Sequence, residues 1–212
     1  MYNPSKPFGH TVAGMLNKLK MIQVISNNIN HATSVGYQRQ IPESISFDSI
    51  LNETAVKDTT SGQLAKTNNK FDLAIEGNAY FLIESKDGPL PIRDGRFRLN
   101  EKGELCTHDG TEVIVIEKTD KPLSLAKEEN IQINQNGEIF LGKDKYGRIA
   151  MQVLDNKPVR VHQSYLEGSN VNLINEMLSL SMALRSFEAS EKMLGLEASV
   201  DRDLIDKYGR NV

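Results

Sequence analysis

The stretch LINEMLSLSMALRSFEASEKMLGLEASVDRDLI, residues 173–205, decides the fold. Its apolar residues recur at a three-four spacing: Leu173, Met177, Leu180, Leu184, Phe187, Leu194, Ala198 and, after Asp201, Ile205. That repeat is the seam of a coiled coil. A second stripe runs off the seam through Val171, Ile174, Leu178, Met182, Ala189, Met193, Leu196, Val200 and Leu204. A helix with one partner needs a single apolar stripe, and a helix apolar on two sides needs more neighbours. Either it is an ordinary buried helix of a monomer, or it meets its own partner helix and other subunits as well. At the opposite end of the chain the same rhythm runs Val12, Met15, Leu19, Ile22 and Ile29, with Ser26 the one miss. Seams at both ends predict N- and C-terminal helices that pair as a coiled coil. Met15, Leu19, Ile22, Met177, Leu184 and Phe187 are the candidate packing residues.

Between the helices the pattern changes. The first helix is expected over about Thr11 to Asn30, with Thr11 as N-cap, residues 1–10 frayed and Gly36 as the stop. From Tyr37 to about Lys70 the chain is polar, with weak apolar spacing at Ile41, Ile45, Phe47, Ile50 and Leu51. Such a tract orders only against something else. From Phe71 short apolar runs alternate with turn signals. FDLAIE and AYFLIE bracket Gly77-Asn78, a two-residue hairpin signal. Further turns fall at Asp87-Gly88, Asp94-Gly95, Lys102-Gly103, Asp109-Gly110 and Asn136-Gly137, separating RFRL, EVIVIE, IQIN, EIFL and RIAMQV. Short strands with regular glycine turns predict a small antiparallel sheet or barrel. Ser169 or Asn170 is expected to cap the C-terminal helix, with Glu176 near its first turns. The class is therefore α+β: a mainly antiparallel β domain flanked by terminal helices.

Composition narrows the function. A net charge of -3 with interleaved acids and bases gives no electrostatic case for nucleic acid or an anionic membrane. No apolar run approaches the ~20 residues of a membrane span. The segment MYNPSKPFGHTVAGM has no uninterrupted apolar stretch of the kind a cleaved Sec signal needs. With Cys106 the single cysteine, no intrachain disulfide is possible.

Catalytic signatures are missing. His10, His31, His108 and His162 are dispersed and make no metal-ligand spacing. Gly9 and Gly14 stand as in a P-loop, yet Met15 occupies the place of the phosphate-binding lysine, and no strand precedes them. Cys106, His108 and Asp109 lie together at a turn without a further partner. No catalytic, cofactor or metal residue is assigned. Two many-sided helices and a polar tract without its own core point to assembly.

Four blocks, in order along nearly the whole chain, carry a family resemblance. VISNNINHATSVGYQR (24–39) resembles the N-terminal signature of flagellar rod and hook proteins, and Ala13-Gly14-Met15 fits the same block. SGQLAKTNNKFDLAIEG (61–77) is similar to their second motif, and RDGRF (93–97) with LNEKGEL (99–105) to their third. LEGSNVN (166–172) with Glu176-Met177, followed by Arg185-Ser-Phe-Glu188, resembles the C-terminal block. The chain departs from the pattern at Asn30-His31, Gln38, Ala79 and Leu90-Pro91-Ile92, at Ser181 to Leu184, and in a short stretch between Met151 and His162. By these blocks it resembles the flagellar basal-body rod protein family, of the FlgG/FlgF type.

The resemblance implies a structural subunit of the bacterial flagellum basal body, exported by a type III route without a cleaved signal peptide. It implies helical self-assembly into a hollow, torque-transmitting tube. Implied partners are copies of itself, neighbouring rod and hook subunits and the surrounding ring bushing, with no nucleic acid and no membrane embedding. It divides the chain into an N-terminal inner helix (1–35), an inter-subunit segment (36–70), an outer β domain (71–165) and a C-terminal inner helix (166–212). Asn27, Asn28, Gly36 and Asn170 are the expected inter-subunit residues. The competing reading is a secreted soluble adaptor module, related to these proteins, that does not polymerise.

Overall fold

The computed structural model describes residues 5–42, 56–86, 88–110, 113–118 and 131–209. Two helices, α1 (Ser5–Asn30) and α2 (Leu173–Gly209), bracket a series of short antiparallel strands, so the class is α+β. The chain divides into two compact units. A helical unit comprises Met1–Asn30, Gln40–Lys57 and Asn172–Val212, and a β unit comprises His31–Arg39 and Asp58–Val171.

In the helical unit α1 begins at Ser5, not near Thr11. Pro7 falls in the first turn, where backbone N–H groups have no intrahelical acceptor, so its missing donor costs little. Thr11 is thus interior, and the helix stops at Asn30, well before Gly36. The cap of α2 is Asn172, not Ser169 or Asn170: its Oδ1 accepts the Asn175 N–H at 3.0 Å. The two helices pack antiparallel, because moving back from Asn28 to Lys18 on α1 moves forward from Glu176 to Ser190 on α2. Asn28 Nδ2 donates to Glu176 Oε2 at 3.2 Å, and Lys18 Nζ donates to the Ser186 carbonyl at 3.0 Å and to Ser190 Oγ.

The covered face of α2 runs Glu176, Leu180, Ala183, Phe187, Ser190, Leu194. Its partner face on α1 includes Gly14, Lys18, Ile25 and Asn28. Both keep a four-three spacing, but they are rotated from the purely apolar seam read in the sequence and alternate polar with apolar residues. The strands β1 (Gln40–Ile41) and β2 (Val56–Lys57) complete this unit as a short antiparallel ribbon, Gln40 opposite Lys57. Of the weak apolar spacing in the polar tract, Ile45, Phe47, Ile50 and Leu51 lie outside the described residues.

The β unit begins with β3 (Leu64–Lys66), β4 (Leu73–Glu76), β5 (Ala79–Ser85), β6 (Gly88–Ile92), β7 (Phe97–Leu99) and β8 (Leu105–Thr107). It continues with β9 (Ile116–Lys118), β10 (Ile131–Ile133), β11 (Glu138–Leu141) and β12 (Asp144–Ile149). Last come β13 (Met151–Val153), β14 (Arg160–Gln163) and β15 (Tyr165–Glu167). The described strands do not form one sheet or a closed barrel. They split into a four-stranded sheet β10-β11-β12-β9, a three-stranded sheet β13-β5-β6, and the pairs β14-β4, β15-β3 and β7-β8, all antiparallel.

These small sheets enclose one core. On β5 the alternation puts Ala79, Phe81 and Ile83 inward. They meet Leu73, Ile75, Phe97, Leu105, Ile139, Ile149 and Val161, all buried. Phe81 and Phe97 pack edge to face, with centroids 5.2 Å apart. Burying each such side chain contributes roughly 1.5–3 kcal/mol before the entropy of ordering is counted. Pro89 and Pro91 sit on β6, an edge strand of its sheet, where a missing N–H is tolerated.

The hairpin expected at Gly77-Asn78 does not form: β4 pairs with β14, and β5 pairs with β13 and β6. A type I′ turn needs positive φ at both central residues. Gly77 supplies it at +114°, but Asn78 does not. The chain turns a corner there and leaves for another sheet.

Candidate functional site

That corner exposes three carbonyls, and one arginine fills it. Arg93 Nη1 donates to the Gly77 carbonyl at 2.8 Å and to the Ala79 carbonyl. Its Nη2 donates to the Ile75 carbonyl at 2.9 Å and to Ser61 Oγ at 3.2 Å. The remaining edge of the guanidinium faces Glu167 at the end of β15, with Nε donating to Oε2 at 2.5 Å and Nη2 to Oε1 at 3.1 Å. Both side chains are 3% exposed. A charge this deep persists only when paired and fully hydrogen-bonded, and the planar fork of arginine can satisfy carbonyls and a carboxylate together.

Close backbone approaches surround this pair. Gly36 N–H donates to the Glu167 carbonyl at 2.8 Å, and Gly62 N–H donates to Glu167 Oε1 at 2.8 Å. Gly36 adopts φ +66°, and a Cβ there would lie 2.6 Å from the Arg93 carbonyl group. A Cβ at Gly62 would lie 1.9 Å from the Gly168 oxygen, and one at Gly95 would lie 1.6 Å from the Leu73 oxygen. Each motif singled out in the sequence thus supplies a part of one buried junction: Gly36, Gly62, Arg93 with Gly95, and Glu167.

Asn170 and Asn28 bond the adjacent residues Arg39 and Gln40, which belong to different units. In the β unit, Asn170 Oδ1 accepts the Arg39 N–H at 2.6 Å, while Nδ2 donates to the Asp58 carbonyl at 3.0 Å and the Thr60 carbonyl at 2.8 Å. In the helical unit, Asn28 is fully buried and bonds both backbone groups of Gln40, at 2.8 and 2.9 Å. Asn28, Gly36 and Asn170, expected to face other subunits, make these bonds inside the chain, whereas Asn27 is exposed. Of the expected packing residues, Met15, Ile22 and Phe187 are half-buried, and Leu19, Met177 and Leu184 lie on the exposed side. Arg93 and Glu167 were missing from the expected site residues. Their signal was available: an arginine and a glutamate, each inside a motif, with no role assigned.

The turn beside Cys106 offers less. The thiol is buried and its Sγ lies 3.3 Å from the Arg98 carbonyl. His108 and Asp109 instead line a shallow cleft of about 280 Å³ with Ile83, Ile92, Asp94, Arg96 and Thr107. Among the described residues no group of His, Cys, Asp and Glu is placed to hold a metal. No described helix is long and apolar enough to cross a membrane.

Comparison with known proteins gives the class first. Residues 162–206 match the family model of the flagellar basal body rod FlgEFG protein C-terminal region, and residues 74–141 match that of the flagellar hook protein FlgE/F/G D1 domain. Both describe structural proteins of flagellar rod and hook, not enzymes. Among individual relatives, the flagellar basal-body rod protein FlgF of Rhizobium meliloti is 30% identical over 86% of this chain and 90% of its own length. FlgF of Mesorhizobium japonicum is 27% identical over 90% of this chain and 92% of its own length. The rod protein FlgG of Agrobacterium fabrum is 28% identical over 85% and 91%. The chain belongs to the flagellar basal-body rod protein family, and its role is structural.

Proposed function

We propose that this chain is a subunit of the basal-body rod that assembles helically, with copies of itself and with neighbouring rod and hook subunits, into a hollow torque-transmitting tube. One observation carries the reading. Along α2, Ile174, Met177, Leu178, Met182, Met193, Leu196 and Val200 are 52–71% exposed, forming two apolar patches on one side of the helix, 174–182 and 193–200. Clustered exposed apolar side chains on this scale mark an interaction site. On α1, Val12, Leu16, Leu19 and Met21 are exposed as well. In the assembled rod these faces pack against helices of adjacent subunits, and α1 and α2 pair as a coiled coil in the inner layer. The segment 36–70 lies between subunits, and the β region 71–165 faces outward. The chain reaches the basal body through the export channel, and the ring bushing is a further neighbour.

The test is Ile174→Ser with Met182→Ser. Both side chains are about 70% exposed, so the purified variant should melt within about 0.5 kcal/mol of the parent. Cells carrying only this variant should lack rods and not swim. Normal rod assembly and motility would overturn the reading.

A further inference from the structure

The chain passes between its two units four times, at Asn30–His31, Arg39–Gln40, Lys57–Asp58 and Val171–Asn172. In a torque-bearing subunit, load carried between helical and β units along the backbone travels through these crossings. Three of them are gathered by asparagines. On the β side, Asn170 holds Arg39 through its N–H and Asp58 through its carbonyl, and Asp58 N–H donates to the Arg39 carbonyl at 2.8 Å. The residues at or next to three unit boundaries are therefore cross-tied within the β unit. On the helical side, Asn28 holds both backbone groups of Gln40 and also donates to Glu176 in the first turn of α2. Gln40 in turn is paired with Lys57. The same three crossings are cross-tied again within the helical unit.

We propose that Asn28 and Asn170 are paired load clamps, which spread force passing between the units over three chain segments rather than one. This rests on the rod reading above. Asparagine suits the task because one planar amide carries both donor and acceptor, so it can bridge an N–H on one strand and a carbonyl on another. Aspartate has the same shape but no donor, and it would set a carboxylate against the Asp58 and Thr60 carbonyls.

The experiment uses the full chain with Asn170→Asp and Asn170→Ala, and with Asn28→Ala as an independent second clamp. Hydrogen exchange is read residue by residue, and motility is measured in media of rising viscosity. In Asn170→Ala, exchange at Arg39 should accelerate roughly tenfold, as for the loss of one well-formed hydrogen bond. Amides of Leu73 to Ile83 should keep their protection. Cells should assemble rods and swim in dilute medium, then fail at a lower viscosity than the parent. Unchanged exchange at Arg39 would overturn the clamp, as would protection lost throughout the β core. Rods missing at every viscosity, with the core intact, would make Asn170 a subunit contact and also overturn it. Failure of the rod reading itself shows separately, in the Ile174 and Met182 variant.

Discussion

The β unit and the helical unit solve burial in opposite ways. In the β unit, Leu73, Ile75, Phe81, Ile83, Leu105 and Ile149 are all buried to 1% exposure or less, and the buried Arg93–Glu167 pair is satisfied on every side. In the helical unit the buried apolar set among the described residues is Val24, Ile25 and Ala183, beside the polar Asn28 and Glu176. Many of its larger apolar side chains, among them Ile174, Leu178, Met182 and Leu196, are exposed instead. A packed core supplies stability without a partner, whereas a helix pair with a mixed seam is marginal in water. The contrast separates a half that buries its own apolar surface from a half that leaves much of it exposed, and under the proposed rod function neighbouring subunits cover the second.

The sharpest way to break this contrast is to remove the pin of the β unit. Arg93→Ala leaves Glu167 charged and buried, and frees the carbonyls of Ile75, Gly77 and Ala79. The expected cost is about 3–5 kcal/mol, read as a fall in the urea midpoint of the β unit. Gly95→Ala should follow, at about 2 kcal/mol or more, because its Cβ would overlap the Leu73 carbonyl oxygen. If either variant melts like the parent, the junction is not what holds the β unit together. A smaller effect belongs to the helical unit. Asn28→Leu removes the bonds to Gln40 and one donor to Glu176, at a cost of about 1–3 kcal/mol. Loss of hydrogen-exchange protection should stay within α1, α2 and the β1–β2 ribbon. Spread into the β core would erase the distinction between the units.

Much of this was legible in the sequence, and the gaps have physical causes. Both helices and the strands around Phe81, Phe97, Ile131 and Ile139 follow from periodicity and glycine turns. Strand pairing did not follow, because pairing is long-range. β4 finds β14 across 86 residues, as the His162–Glu76 contact shows, and a local hairpin signal outweighed that distance in the reading. β14 and β15 are short and carry polar residues, so they give no apolar alternation to read. β6 was hidden by its two prolines, which only an edge position allows. The seam was read from apolar residues alone. The face that α1 and α2 share joins the polar Asn28, Lys18, Glu176 and Ser190 to the seam residues Leu180, Phe187 and Leu194, so an apolar rule found half of it and missed its polar members. The motifs were found, but their residues join across as many as 148 positions, and no spacing rule announces such a junction.

The finest test of the contrast is pH. Asp58 Oδ1 accepts the Thr60 hydroxyl at 2.7 Å and the Thr60 N–H at 3.0 Å. These two bonds, with the nearby Arg39 charge, hold the Asp58 carboxyl below the ordinary aspartate range. Glu76 is lowered in the same direction, chiefly by its hydrogen bond with His162. A carboxylate lowered on folding contributes stability that is complete above its unfolded pKa and vanishes as pH falls through its folded one. The β unit should therefore hold its stability from neutral pH down to about 4, the unfolded aspartate value, and weaken below it. Asp58→Asn removes that titration, so the gap in urea midpoint between parent and variant should narrow from pH 7 to pH 3. The effect is small because Asp58 is only partly buried, so such bonds compete with solvent. A gap that stays constant across this range would mean that the Thr60 bonds do not distinguish charged from neutral Asp58, and that acid acts on this subunit elsewhere.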